Sequence, residues 1–511
     1  MTTTVLDLLA PNDATSPAIG APGRPWLDFG GLRDLCAATR ETLNGFGIGR
    51  GDRVAIVLPN GPEMATAFIA VATGATTAPL NPAYREDEFD FYLDDLQAKA
   101  LVVAADEAGP AVAVAKKRGL PLLRLAFDAA GPAGAFTLSL DGTAPTGGCT
   151  GGPAEAGDVA LVLHTSGTTS RPKIVPLLQS NLAASARHIG TTLHLSPADR
   201  CLNIMPLFHI HGLIAAVLAS LAAGASISCT PGFNALRFFA WLDEVKPTWY
   251  TAVPTMHQAI LARAERNQAS VAAAALRFVR SSSASLPPQV MKALEETFGC
   301  PVIESYGMTE ATHQMASNPL PPAVRKPGSV GIEAGPAIRI ADPAEGHFLA
   351  SGSEGEVVIS GPNVTPGYES NPDANAKSFF EHEGRRWFRT GDQGIIDAEG
   401  YLRITGRLKE IINRGGEKVS PLEVDDILMD HPAVQQVVTF AMPHDKLGEE
   451  VAAAVVLREG QTATERDIRD FAAKHLADFK VPRKVVILNE IPKGATGKMQ
   501  RIGLAQKLGL D

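Results

Sequence analysis

The 511-residue chain carries no excess of positive charge: 46 Lys and Arg stand against 55 Asp and Glu, a net charge of −9. That balance argues against nucleic acid or an anionic membrane as the main partner, so an anionic ligand must be held by local cations. Cysteine is sparse too. Cys36, Cys149, Cys201, Cys229 and Cys300 are scattered singly with no C-x-x-C pair, which fits reduced thiols and gives no zinc site. The first fifteen residues lack the basic start and apolar run of a secretory signal. The longest uncharged stretch, 201–236, is broken by His209, His211, Gly224 and two prolines, and its apolar centre at 213–223 is shorter than the ~20 residues that span a bilayer. The chain closes on Gly509-Leu510-Asp511 rather than a Ser-Lys-Leu address. Together these absences set the expectation of a cytoplasmic protein. The length exceeds one ordinary core, so two or more domains are expected.

A Walker loop is missing as well, since that motif needs Gly-Lys followed by Ser or Thr. In its place stands Leu161-Val-Leu-His-Thr-Ser-Gly-Thr-Thr-Ser-Arg-Pro-Lys173, an apolar strand that empties into hydroxyl-rich residues closed by a lysine. Gly167 lets backbone approach a ligand; Thr165, Ser166, Thr168 and Thr169 supply hydroxyls and amides; Lys173 adds a mobile charge. These groups suit a polyphosphate. Taken alone, the stretch also reads as a Ser/Thr-rich surface turn.

Around it, strand and helix alternate. Residues 54–58, 76–80, 159–163, 226–229, 248–252 and 278–280 read as strands, and 62–73, 213–223, 236–244 and 287–298 as helices. Alternation of this kind predicts parallel sheets flanked by helices, with ligands at the carboxyl ends of the strands, where the 165 and 281 loops fall. Residues 131–152, rich in Gly, Pro, Thr and Ala, read as a loop. Beyond about residue 327 the texture changes to strands between Gly and Pro turns, a small β subdomain. The last hundred residues read as a compact α+β unit. The expected division is an α/β N-terminal domain over 1–405, a hinge at 406–410 and a small mobile lid over 411–511.

Six segments in order now resemble one family. Thr165-Ser-Gly-Thr-Thr-Ser-Arg-Pro-Lys173 is similar to the phosphate loop of the adenylate-forming enzymes, the superfamily of acyl-CoA synthetases, peptide-synthetase adenylation domains and beetle luciferases. Met205-Pro-Leu-Phe-His-Ile-His-Gly212, Glu304-Ser-Tyr-Gly-Met-Thr-Glu310, Arg389-Thr-Gly-Asp392, Gly406-Arg-Leu-Lys-Glu410 and Pro492-Lys-Gly-Ala-Thr-Gly-Lys498 follow. The resemblance implies ATP, Mg²⁺ and coenzyme A as the small-molecule partners, and a monomer or homodimer.

It also implies roles, residue by residue. Lys498 matches the lysine that bridges the carboxylate and the α-phosphate, Thr309 the hydroxyl on that phosphate, and Glu310 the magnesium ligand; His209 falls in the catalytic set. Asp392 matches the acid on the ribose hydroxyls, with Arg407 beside it. Tyr306 would stack on adenine against Ala284, with Glu304 and Ser305 in the same nucleotide segment. Lys409 matches the hinge, and Gly415 and Gly416 the loop that lines the pantetheine tunnel. Each has a plainer reading: Thr-Glu as a helix start, Asp392 as a turn residue, Arg407 as a surface charge, Gly415-Gly416 as a turn.

The acyl positions implied by the resemblance are His211, Ser282, Ser283 and His313. Such donors around an alkyl chain would leave unpaired polar groups at about 1–3 kcal/mol each; a second carboxylate would satisfy them. With Ser281-Ser-Ser-Ala-Ser-Leu286 and Met308-Thr-Glu-Ala-Thr-His-Gln314, the chain is most similar to the oxalyl-CoA synthetase branch, and oxalate is the expected acid. A ligase for malonate, formate, glycolate or coumarate, an adenylating domain that loads a carrier-protein thiol, and a nucleotide-binding regulator without catalysis stay open. The chain departs from the usual pattern at Ser170 and at Ile174, where most members carry Gly, and the β-branched Ile174 is expected to stiffen the loop.

Overall fold

Pro62 opens the helix Pro62–Ala72, where a missing N–H is tolerated, and every residue of that helix except Glu63 is buried. A helix apolar on all sides needs cover on all sides. It finds it between strands of two large sheets. The computed structural model describes residues 3–145, 148–165, 172–492 and 499–510.

The first sheet has nine strands, six of them parallel in the order Val302–Met308, Phe278–Ser281, Trp249–Ala252, Arg200–Asn203, Ser226–Cys229 and Pro17–Gly20. The second has seven, with Leu122–Ala126, Ala100–Ala104, Arg53–Val57, Thr76–Pro79 and Val159–Thr165 parallel. Both are closed by antiparallel strands, so the all-parallel expectation holds for the centres and fails at the edges. One of these, Thr137–Asp141, lies inside the stretch read as a loop. Its residues alternate between exposed and half-buried, so it presents no apolar face that a sequence pattern could reveal.

The phosphate segment likewise joins two antiparallel strands. Val159–Thr165 returns as Lys173–Leu178, with Thr165 opposite Lys173 and His164 opposite Ile174. Ile174 is therefore a strand residue, 9% exposed in an apolar cluster with Val162.

A third sheet of five strands holds Ala337–Ala341, Glu354–Ser360, Phe379–His382, Arg385–Ile396 and Leu402–Arg407. The last sheet, also five-stranded, is built on Ile412–Arg414, Glu417–Val419, Val434–His444, Gly448–Leu457 and Lys484–Ile487. Helices Pro421–Met429 and Glu465–Ala472 contribute Val424, Leu428 and Ile468 to its core. The chain is thus α/β with a large N-terminal part and a small C-terminal α+β part. Residues 406 and 407 are still paired in the third sheet, so only 408–411 connect the two parts. Across the junction Gln258 Nε2 donates to the Gln435 carbonyl at 3.2 Å.

Candidate active site

The carboxyl ends of Phe278–Ser281 and Val302–Met308 bring the 281 and 309 segments side by side. Gly307 is required there: a Cβ at this position would lie 2.0 Å from the His313 carbonyl oxygen, because the strand His313–Ser317 folds directly back. The fold-back drives Thr312 and His313 to φ values of +49° and +93°, and Ser283 stands at +76°. Non-glycine residues in this region are strained, and such strain concentrates at functional sites.

Glu310 follows in a short 3₁₀ turn and is buried. Its Oε1 accepts the Tyr368 hydroxyl at 2.8 Å. Burial pushes the Glu310 carboxyl above its ordinary range, while the Tyr368 bond and the charges of Arg407 and Lys173 oppose that rise. Lys173 sits with its ammonium 4.2 Å from the centre of the Tyr368 ring. Burial lowers its proton affinity, Glu310 raises it, and the nearby Lys409 lowers it further. Lys173 and Arg407 thus both act on the Glu310 carboxylate, with Lys409 close to Lys173, and cations grouped in this way suit a phosphate chain.

Beside them, Asp392 and Arg407 face each other on adjacent strands. Arg407 Nε donates to Asp392 Oδ1 at 2.8 Å and the Tyr306 hydroxyl donates to Oδ2. Burial and Asp392 hold the Tyr306 phenol well above its ordinary value. Asp392 also raises Arg407, whose side chain remains half exposed. Ala284, in the 281 loop, is exposed.

A second group lies deeper. His211 is fully buried at the start of a π-helix, His211–Leu218, two residues ahead of the helix start expected from sequence. Gly212 permits that start, since a Cβ there would lie 2.4 Å from the Pro206 carbonyl oxygen. His211 Nδ1 is 3.0 Å from Ser283 Oγ and Nε2 is 2.6 Å from Thr251 Oγ1. The rings of His211 and His313 are 5.0 Å apart. The Ser282 hydroxyl donates to the Ser305 carbonyl at 3.0 Å, and the Ser305 hydroxyl to the Ser281 carbonyl at 3.3 Å, so both protons are committed to the strand pair. His209 is partly buried ahead of the π-helix and its carbonyl accepts from Leu213 N at 3.1 Å. Thr309 opens the turn that carries Glu310.

Glu304 has a structural task in this structure. Its Oε1 accepts from Leu286 N at 2.9 Å and pins the far end of the 281 loop. Burial pushes its carboxyl up to about 8.

Gly415 and Gly416 form the two-residue turn between Ile412–Arg414 and Glu417–Val419, both at positive φ as a type I′ hairpin demands. Lys409 lies in the 408–411 connection and is exposed. Lys498, Ser166, Gly167, Thr168 and Thr169 lie outside the described residues.

Sequence reading missed three groups. Tyr368 comes from a turn 58 residues beyond Glu310, and nothing local marks it. Thr251 lies within the short buried strand Trp249–Ala252. Arg280, a lone charge in the buried strand Phe278–Ser281, was visible as an anomaly and is fully buried behind Thr251. Its Nη1 reaches Thr251 Oγ1 at 3.5 Å and its Nη2 donates to Gln314 Oε1 at 3.2 Å.

Comparison with known proteins agrees with this arrangement. The family described as AMP-binding enzyme matches residues 11–369, and that described as AMP-binding enzyme C-terminal domain matches 423–498. The chain is 45% identical to an oxalate–CoA ligase of Arabidopsis thaliana, covering 96% of this chain and 95% of that one. It is 42% identical to an oxalate–CoA ligase of Saccharomyces cerevisiae, covering 89% and 87%. Among solved structures, ATP-bound MatB from Rhodopseudomonas palustris superposes with a TM-score of 0.87 at 28% identity, covering 99% of both chains, whereas the apo form of the same protein gives 0.77. No helix among the described residues is long and apolar enough to cross a membrane. With two family matches spanning most of its length and relatives above 40% identity, the chain belongs to the AMP-binding enzymes, the adenylate-forming superfamily.

Proposed function

We propose that this protein is an AMP-forming acid–CoA ligase that adenylates oxalate with ATP and passes the oxalyl group to coenzyme A. The observation that carries the substrate is the polar group of buried His211, Thr251 and His313 with half-buried Ser283. Hydrogen-bonded to one another, these groups form a polar lining that suits a small polar acid, whereas an alkyl or aryl acid would desolvate it and add no partner, at about 1–3 kcal/mol for any group left unpaired. The two oxalate–CoA ligases among its relatives point the same way.

In the first step an oxygen of one oxalate carboxylate attacks the α-phosphorus and the bond to the β-phosphate oxygen breaks, releasing pyrophosphate. Lys173 and the hydroxyls of the 165 loop hold the phosphates. Asp392 accepts from the ribose hydroxyls while Arg407 and Tyr306 fix its two oxygens. Lys498 neutralises the repulsion between the carboxylate and the α-phosphate, and Thr309 donates to that phosphate. A magnesium ion carried by ATP asks for only one or two carboxylates besides phosphate oxygens, and the single buried Glu310 fits that demand. Among the described residues no cluster of three His, Cys, Asp or Glu would hold a metal unaided. Held by Glu310, magnesium would neutralise charge on the leaving pyrophosphate.

In the second step the thiol sulfur of CoA attacks the acyl carbon, the bond to the AMP oxygen breaks, and the thiol proton leaves to solvent. The C-terminal part acts as a lid turning about Lys409, which withdraws Lys498 and brings in the Gly415-Gly416 turn. The closer match to the ATP-bound form of the MatB relative supports a lid placed for adenylation. The boundaries that go with this reading are 1–405, 406–410 and 411–511, and the pairing of 406 and 407 in the third sheet supports a pivot in the later part of that hinge. Oxalate-dependent and CoA-dependent release of AMP from ATP tests the proposal.

A further inference from the structure

Arg280 is a fully buried guanidinium with which, among the described residues, no carboxylate pairs, and its Nε finds no hydrogen-bond partner there. An uncompensated buried charge is costly, and a protein that keeps one has a use for it. Its surroundings are fixed. Both amide protons of Gln314 are engaged, by Thr192 Oγ1 at 3.1 Å and by the Ala334 carbonyl at 3.0 Å, so the amide oxygen faces Arg280.

On the other side a chain of polar groups leads to the acyl positions. A guanidinium can only donate, so Thr251 Oγ1 accepts from Arg280. His211 Nε2 lies 2.6 Å from the same oxygen, and the tautomer assigned is the one in which Thr251 donates to it. With Nε2 an acceptor, the ring proton resides on Nδ1 and is donated to Ser283 Oγ at 3.0 Å. Ser283 is left to donate its own proton outward, toward the ligand. In this tautomer the bonds of the series all run outward from the charged Arg280, and each bond in such a series strengthens the next.

We propose that Arg280 is a positioning residue for oxalate's second carboxylate: it polarises the Thr251–His211–Ser283 chain so that a donor faces that carboxylate, and its unneutralised charge favours an anion at that end. The inference rests on the oxalate reading and goes beyond it by assigning selectivity to a residue that does not touch the acid.

The test compares oxalate with oxamate, which has nearly the same shape but a neutral amide in place of the second carboxylate. Pyrophosphate release at saturating ATP is measured for the wild type, Arg280→Lys, Arg280→Gln and Thr251→Val. Thermal unfolding with and without ATP checks that each is folded. Arg280→Gln should lose at least tenfold in kcat/KM for oxalate, mainly through KM, and less than threefold for oxamate. Arg280→Lys should recover part of the oxalate loss. Thr251→Val, which removes one hydroxyl and little volume, should show the same selective loss even where an Arg280 variant does not fold. Equal losses on the two acids, or none, would overturn the proposal while leaving oxalate as the substrate. A wild type that turns over oxamate but ignores oxalate would overturn the substrate reading, and this inference with it.

Discussion

Asp392 and Arg407 stand directly opposite one another on the antiparallel strands Arg385–Ile396 and Leu402–Arg407, with Arg407 Nε donating to Asp392 Oδ1 at 2.8 Å. Arg407 is the last residue of its strand, so the bond ties the Asp392 carboxylate to the start of the connection that leads into the C-terminal part. On the proposed function, ribose binding and lid position would share one ion pair.

Replacing Asp392 by Asn keeps the shape and removes the charge that Arg407 and Tyr306 both address. A charged hydrogen bond contributes about 1.5–3 kcal/mol. KM for ATP should rise roughly ten- to a hundredfold, with a smaller change in KM for the acid. Initial rates against ATP concentration decide it, and an unchanged KM would detach Asp392 from the nucleotide.

Glu304 makes a pH prediction with a definite sign. Its folded carboxyl is pushed up to about 8 from the usual 4.5, so between those values the folded state holds a proton that the unfolded state has lost. Stability from this group is complete below about pH 4.5 and declines as pH rises toward 8. Glu304→Gln mimics the protonated form. Urea unfolding should find the variant close to wild type at pH 5 and more stable than wild type at pH 8.

Gly307 has no room for a side chain, since the His313 carbonyl occupies the place of its Cβ. Gly307→Ala should destabilise the protein by about 3 kcal/mol or more and displace Glu310 and His313 together, abolishing activity. A folded, active alanine variant would mean that the fold-back can open.

The lid assignment separates the two half-reactions. Lys498→Ala should cripple adenylation, followed as pyrophosphate release, by at least a hundredfold, yet largely spare CoA transfer from supplied oxalyl-adenylate. Gly415→Ala should do the opposite. Its φ of +61° resists a side chain, and a Cβ there would lie 2.8 Å from Leu447 Cδ2. Equal loss of both halves in each variant would count against a rotating lid.

What could be read from sequence was what is contiguous. The strand into the 165 loop, the turn bearing Glu310 and the strand segments holding Asp392 and Arg407 are short stretches whose residue types follow from local chemistry. The contacts that finish the site are not local. Tyr368 meets Glu310 across 58 residues, and Thr251 links Arg280 to His211 across two strands and a helix. The edge strand Thr137–Asp141 escaped because it buries no face, and the π-helical start at His211 because its eight residues are apolar on every side apart from His211 itself. Ser282 looked like a pocket residue by position, yet its hydroxyl proton is held by the Ser305 carbonyl, a bond that depends on the pairing of Phe278–Ser281 with Val302–Met308.

The most direct measurement is AMP formation from ATP and Mg²⁺ with oxalate, malonate, acetate, glycolate, a medium-chain fatty acid and coumarate, each with and without CoA. Strong turnover on oxalate that requires CoA, with little on the apolar acids, is the expected result. Preference for the fatty acid or coumarate over oxalate would contradict the assignment of the His211, Ser283, Thr251 and His313 group to a second carboxylate.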